Sequence, residues 1–272
     1  MRQARLRTLA VEGPRHPQAP PRAGAIRLLT WNIHRGVGGV DRRYDPWRVG
    51  VVIQHHDPDI VLLQEVAEGV PRARRDRQTE MFGEALGYPH CVFSPEVSLR
   101  RGRWGNAILS RYPIARTAHV GLSFPMKKRR GAVIADVVIR AGGERHVLHV
   151  VNLHLGLSGV ERRWQIRRLL AAPHLAALSP RSRIVIAGDL NDWAGALGRR
   201  RGALRAAGFL AARGLHHGAM RTFPARFPVA QLDRVFLAGA MVCRAAYRSR
   251  FGLARRASDH LPLVVDLDLR RV

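Results

Sequence analysis

Short apolar runs recur along this chain and stop on Asn, Asp, Glu or His, and that recurrence restricts the possible folds more than any single motif. Ile26–Trp31 runs into Asn32, and Ile60–Leu63 into Gln64-Glu65. His146–Val151 leads to Asn152-Leu153-His154, and Ile184–Ala187 to Gly188-Asp189-Leu190-Asn191-Asp192. Asp233 lies inside the run Leu232–Phe236, and Ser258-Asp259-His260 precedes the last run, Pro262–Leu269. Runs this short and apolar suit buried strands. Polar groups at strand ends feed loops along one edge of a sheet, where a rigid scaffold can hold reacting groups in place.

Each terminus has its own chemistry and a blander alternative. A carboxylate and an amide oxygen, Glu65 and Asn32, are the hard ligands that magnesium takes, although either residue alone also serves as a cap or turn. Alternation along a strand puts Asn152 and His154 on one face, while a lone His is commonly a satisfied structural group. Asp189 and Asn191 share an orientation if the strand geometry persists; an Asx turn is the other reading. Asp233 sits where an unpaired carboxylate is expensive to bury, so it needs a partner or a task. Asp259 beside His260 can orient the ring, provided the local turn brings the two side chains together.

The remaining pattern predicts strands and helices in mixed order. Asp45-Pro46 opens a helix over Trp47–His56, and a second amphipathic segment, Thr79–Leu86, is closed by Gly87. Strand character follows at Cys91–Phe93, Asn106–Leu109 and Ala132–Ile139, with later strands near Leu232–Leu237 and Met241–Tyr247. The capping pattern Ser158-x-x-Glu161 starts a helix to about Leu170, with Pro173 kinking or ending its continuation, and another helix is expected around Leu197–Ala207. The mixture predicts an α/β fold of two packed sheets with helices outside, since apolar strands need both faces covered. It forms a single domain over 25–272, behind a basic, Pro-rich tail over 1–24 that is expected to be disordered.

Composition narrows the partners. The net charge of +26 attracts polyanions, nucleic acid or anionic phospholipid headgroups. Met126-Lys127-Lys128-Arg129-Arg130 reads as an exposed loop between strands, either contacting phosphate or simply solvated. Trp104 and Trp193 are candidates for stacking on a base or sugar, with packing as the alternative. Two cysteines, Cys91 and Cys243, do not make a disulfide framework. With no signal-like apolar region and no run long enough to span a bilayer, the expectation is a cytoplasmic, monomeric protein.

In this order, the motifs Thr30-Trp31-Asn32-Ile33, Leu63-Gln64-Glu65-Val66, Gly105-Asn106-Ala107-Ile108-Leu109-Ser110, Asn152-Leu153-His154, Gly188-Asp189-Leu190-Asn191, Leu232-Asp233-Arg234 and Ser258-Asp259-His260 resemble the endonuclease/exonuclease/phosphatase superfamily. Arg221-Thr222-Phe223-Pro224 with Phe227-Pro228 looks like a bacterial subgroup of it. The resemblance implies a DNase I-like, four-layered α/β sandwich of two packed mixed β-sheets flanked by helices. It also implies a metal-dependent phosphodiesterase in which water attacks phosphorus directly. By position, Asn32 and Glu65 would hold Mg2+ (or Mn2+), with Asp259 contributing to the ion or orienting His260. Asp189 and Asn191 would position water and phosphate, and His154 would donate to a nonbridging oxygen. His260 would act as general base or transition-state partner, with Asp233 as its orienter, and Asn106 and Asn152 would contact substrate. Nucleic acid is the favoured substrate, with a phospholipid headgroup or an inositol phosphate as the alternative. A basic nucleic-acid-binding protein without activity is the rival of another class.

Overall fold

A computed structural model describes residues 25–141, 143–213 and 219–269; the expected N-terminal tail lies outside them. One sheet contains β1 (Ala25–Asn32), β2 (Ile60–Glu68), β3 (His90–Ser98), β4 (Arg103–Ser110), β11 (Val242–Arg248) and β12 (Leu263–Asp268), in the order β11-β12-β1-β2-β4-β3. The other contains β5 (Ile114–Gly121), β6 (Gly131–Ala141), β7 (Glu144–His154), β8 (Arg183–Asp189), β9 (Leu210–Ala211) and β10 (Asp233–Ala238), in the order β5-β6-β7-β8-β10-β9.

The sheets face each other across an apolar layer that includes Leu28, Leu62, Ile108, Val133, Val150, Val185 and Val235. On the outer side of the first sheet, Leu29, Val61 and Leu63 pack with Val52 and Ile53 of α1 (Trp47–His56) and Phe82 of α2 (Gln78–Leu86). On the outer side of the second, Ile134, Val151 and Ile186 pack with Ile166 and Leu169 of α3 (Gly159–Leu170). Central strands are therefore buried on both faces, which is why they read as continuous apolar runs rather than as alternation. The expected α/β sandwich of two mixed sheets between helical layers is the fold observed.

Local signals act as their chemistry dictates. The Ser158 hydroxyl accepts from the Glu161 N–H at 3.2 Å to cap α3, and Pro173 begins a separate short helix, α4 (Pro173–Ala176). Gly87 closes α2 in a left-handed conformation with φ 74°. The helix expected around Leu197–Ala207 is instead a 3-10 turn (Ala196–Gly198) and one helical turn (Ala203–Ala206). Gly202 explains the break: a Cβ there would lie 2.2 Å from the Ala196 carbonyl oxygen.

Register collects the polar strand ends. Asn32 pairs with Gln64 between the parallel β1 and β2, His154 with Asp189 between the parallel β7 and β8, and Asp233 with Asp189 between the antiparallel β10 and β8. The N-terminal ends of β4, β6 and β12 arrive at the same edge through antiparallel pairing with β2, β7 and β1.

A buried polar tie joins the two sheets just behind that edge. Asn152 of β7 donates to the carbonyls of Leu63 (2.9 Å) and Ala107 (2.8 Å) in the opposite sheet, and its own oxygen accepts from Gln64 at 2.7 Å. Gln64 also donates to the Thr30 hydroxyl at 3.1 Å. Asn152 does share a face with His154, as alternation requires, but it is fully buried. Its amide is committed within the sandwich, so the contact with substrate expected of it is not where the structure puts it.

Candidate active site

The edge converges on one oxygen. Asp189 ends β8, and its Oδ2 accepts from Asn32 Nδ2 at 3.0 Å, with His154 Nε2 at 3.4 Å and His260 Nε2 at 3.7 Å. Its Oδ1 accepts from the backbone N–H of Asn191 at 3.0 Å. Asn32, His154, Asp189 and His260 are all buried.

The two histidines are held in opposite protonation states. Arg130 donates through Nη1 to His154 Nδ1 at 3.3 Å, which leaves the ring proton on Nε2, facing Asp189. Burial, reinforced by the Arg130 charge, pushes His154 down to about 3 despite Asp189, so the ring is a neutral donor. For His260 burial acts in the same direction, but Asp233 and Asp189 outweigh it and lift the ring to about 10. His260 is therefore a cation near neutral pH, with Nδ1 donating to Asp233 Oδ2 at 2.8 Å. Asp233 has found its partners: the same oxygen accepts from the Thr222 hydroxyl, while Oδ1 is buried with no partner. The ring of His260 is thus oriented by Asp233 and not by its sequence neighbour, Asp259.

Ser258 fastens this segment to β1, its hydroxyl donating to the Asn32 carbonyl at 2.7 Å. Asp259 follows it at the surface, 31% exposed, with Oδ1 at 3.9 Å from His34 Nδ1. Glu65 is turned out of the ladder by an irregularity between Leu63 and Val66 and adopts φ 51°, a conformation rare for a residue with a side chain. Its carboxylate is 22% exposed and meets Arg35 at 3.4 Å; Arg35 in turn lies 5.0 Å from the Trp104 ring. Asn32 Oδ1 accepts one bond, from the His34 N–H. Two carboxylates open to solvent and one amide oxygen with a free lone pair are hard-oxygen groups of the kind a divalent cation takes.

Asn191 also has a left-handed backbone, φ 49°, and spends its amide nitrogen on the Leu155 carbonyl at 2.9 Å, so its oxygen is the group left for a water. Asn106 is fully buried and donates to Glu96 (2.7 Å) and to the Gly131 carbonyl (3.0 Å), leaving Oδ1 buried with no partner. It holds Glu96, which lies 3.9 Å from Arg130.

Glu96 and Arg130 belong to the site and carried little signal in the sequence. Arg130 closes a basic run whose other members, Met126–Arg129, are exposed; only the Asn-rich strand ends around it could have pointed inward. Glu96 sits in no motif. Burial pushes its carboxyl up to about 7 against the opposing effects of Arg130, the Gly131 N–H and Asn106. Because this lies above the ordinary 4.5, the unfolded chain loses its proton first, and stability falls as pH rises from about 4.5 to about 7, then levels. Glu96→Gln is expected to remove a fall on the order of 3 kcal/mol, read from urea midpoints across this range. An unchanged slope in the variant would put its origin elsewhere.

Among the described residues, two His/Asp groups have donor atoms mutually within 4.8 Å and could hold a metal ion: Asp189, Asp233 and His260 at the edge, and Asp136, His149 and His174. The second lies under α4, with Asp136 Oδ1 accepting from His149 Nδ1 (2.6 Å) and His174 Nε2 (2.8 Å).

Comparison with known proteins is consistent with the geometry. The model of the Endonuclease/Exonuclease/phosphatase family matches residues 29–260. The protein YbhP of Escherichia coli K12, described as uncharacterized, is 28% identical over 256 residues, covering 90% of this chain and 97% of its own. The crystal structure of an endonuclease/exonuclease/phosphatase from Beutenbergia cavernae superposes with TM-score 0.74 at 26% identity, over 91% of this chain and 72% of that one. The catalytic domain of human Nocturnin, solved with a bound sulfate anion, shares the fold with TM-score 0.67 at 20% identity, over 91% and 96% of the two chains.

Proposed function

The chain belongs to the endonuclease/exonuclease/phosphatase family, and from that premise we propose that it hydrolyses phosphodiesters by direct attack of water at the Asp189 edge. The observation that carries this reading is the convergence of Asn32, His154 and His260 on Asp189 Oδ2. Asp189 orients the attacking water and takes its proton, with the Asn191 oxygen as a second acceptor. His154, neutral and protonated on Nε2, donates to a nonbridging phosphate oxygen. His260, cationic and fixed by Asp233, stabilises the charge that develops as the ester bond breaks. Asn32, Glu65 and Asp259 would hold Mg2+, which when bound supplies charge neutralisation at the phosphate.

Purified protein is expected to hydrolyse bis(4-nitrophenyl) phosphate with Mg2+, to stop in EDTA, and to lose roughly a hundredfold or more in His260→Ala. Turnover that survives both EDTA and His260→Ala would sink the assignment. Supercoiled plasmid, assayed in parallel, tests nucleic acid as the substrate; nicking with the same Mg2+ dependence would support it. Charge alone serves nucleic acid and anionic lipid equally, and what separates them is the other chemistry on the rim.

A further inference from the structure

Large apolar side chains scattered singly over a surface need no explanation, but a cluster of them does. Among the described residues nine are exposed, and all but Leu210 of β9 lie in loops or first helical turns at the active edge. The most exposed are Met126 (103%) and Leu157 (72%), followed by Phe227, Val229, Val160 and Trp193. They come from four separate segments: 122–130 before β6, 155–161 after β7, 190–195 after β8 and 223–230 before β10. No contiguous apolar hairpin exists in the sequence; the sandwich assembles the patch.

Charge is sorted in the same place. Lys127, Lys128, Arg129 and Arg226 are exposed within these segments, whereas the two acids that fall in them, Glu161 and Asp192, are buried. Arg226 lies 5.3 Å from the Phe227 ring, putting a cation directly beside an apolar tip. Trp193 packs edge-on to Phe223 at 6.0 Å, and Phe223 lies 4.8 Å from His260, so one of the exposed apolar side chains is linked directly to the reacting centre.

Apolar tips interspersed with cations, with no exposed acid in these four segments, are what an anionic bilayer selects: the tips enter the acyl boundary and the cations meet the headgroups. Nucleic acid would use the cations and Trp193, but Leu157, Val160 and Val229 offer it neither a hydrogen bond nor a stacking face. We propose that this rim docks on an anionic lipid bilayer and presents the phosphodiester of a lipid headgroup to the Asp189 edge. The substrate half of this rests on the hydrolase reading above; the docking half does not.

The test is flotation of the full chain with phosphatidylglycerol and with phosphatidylcholine vesicles, alongside turnover of bis(4-nitrophenyl) phosphate. Binding to phosphatidylglycerol is expected, with little to phosphatidylcholine. The variant Leu157→Ser/Phe227→Ser/Val229→Ser should bind phosphatidylglycerol at least roughly tenfold more weakly, from lost apolar burial, and keep its turnover of the soluble diester. Brominated acyl chains should quench fluorescence in the wild type, and this quenching should disappear in Trp193→Phe. Wild type that cleaves the soluble diester without floating would overturn the docking and leave the hydrolase intact. So would vesicle binding unchanged in the triple variant. Plasmid binding weakened by the triple substitution, without vesicle binding, would reassign the rim to nucleic acid. Flotation without soluble turnover would sink the hydrolase reading alone.

Discussion

Asp189→Asn is expected to lower turnover of a soluble phosphodiester by roughly a thousandfold while leaving the fold in place. An amide of the same shape can still accept the Asn191 N–H, so the turn after β8 has no reason to rearrange. What it cannot do is take a proton, and its –NH2 would confront the donors of Asn32, His154 and His260 that now converge on Oδ2. Losing one of the carboxylates that lift His260 should also bring its pKa down from about 10. Steady-state kinetics paired with circular dichroism checks this; a folded variant within tenfold of wild type would remove Asp189 from the centre of the reaction.

The largest loss of stability is expected from Asn152→Leu. Two carbonyls, of Leu63 and Ala107, lose a donor from the facing sheet, and Gln64 loses one of its acceptors, all in a fully buried place. Leaving such groups unmatched costs on the order of 2–4 kcal/mol. Urea unfolding reads it directly, and a loss below about 0.5 kcal/mol would mean that the tie is dispensable.

Much of this architecture was legible because burial writes itself into composition. Strands covered on both faces need continuous apolar runs, so β1, β2, β7 and β8 stood out, and the polar residues that end them marked the edge. β5 did not stand out: Ile114–Gly121 is an edge strand, mostly exposed, with Arg116, Thr117 and His119 facing water, and carries no apolar run. The site was legible to the depth of residue type. Sequence alternation correctly put Asn152 and His154 on one face, yet distance along that face decides whether a side chain ties sheets or meets substrate. Nor does spacing show which acid serves which histidine: His260 is served by Asp233, 27 residues away, through a fold that adjacency to Asp259 does not encode. Arg130 was hidden in a run of like charges, where only the direction of one side chain separates it from its solvated neighbours.

The order of strands in the first sheet bears on when the protein becomes active during synthesis. β12 is the last strand of the described chain to emerge from the ribosome, yet it sits between β11 and β1, and His260 lies three residues before its start. Until Leu263–Asp268 is available, β1 keeps an open edge and Asp233 lacks the ring that it orients. A nascent chain therefore carries most of the scaffold but not the complete reacting centre. The hydrolysis proposed above would therefore wait until β12 has paired with β1 and brought His260 to Asp233.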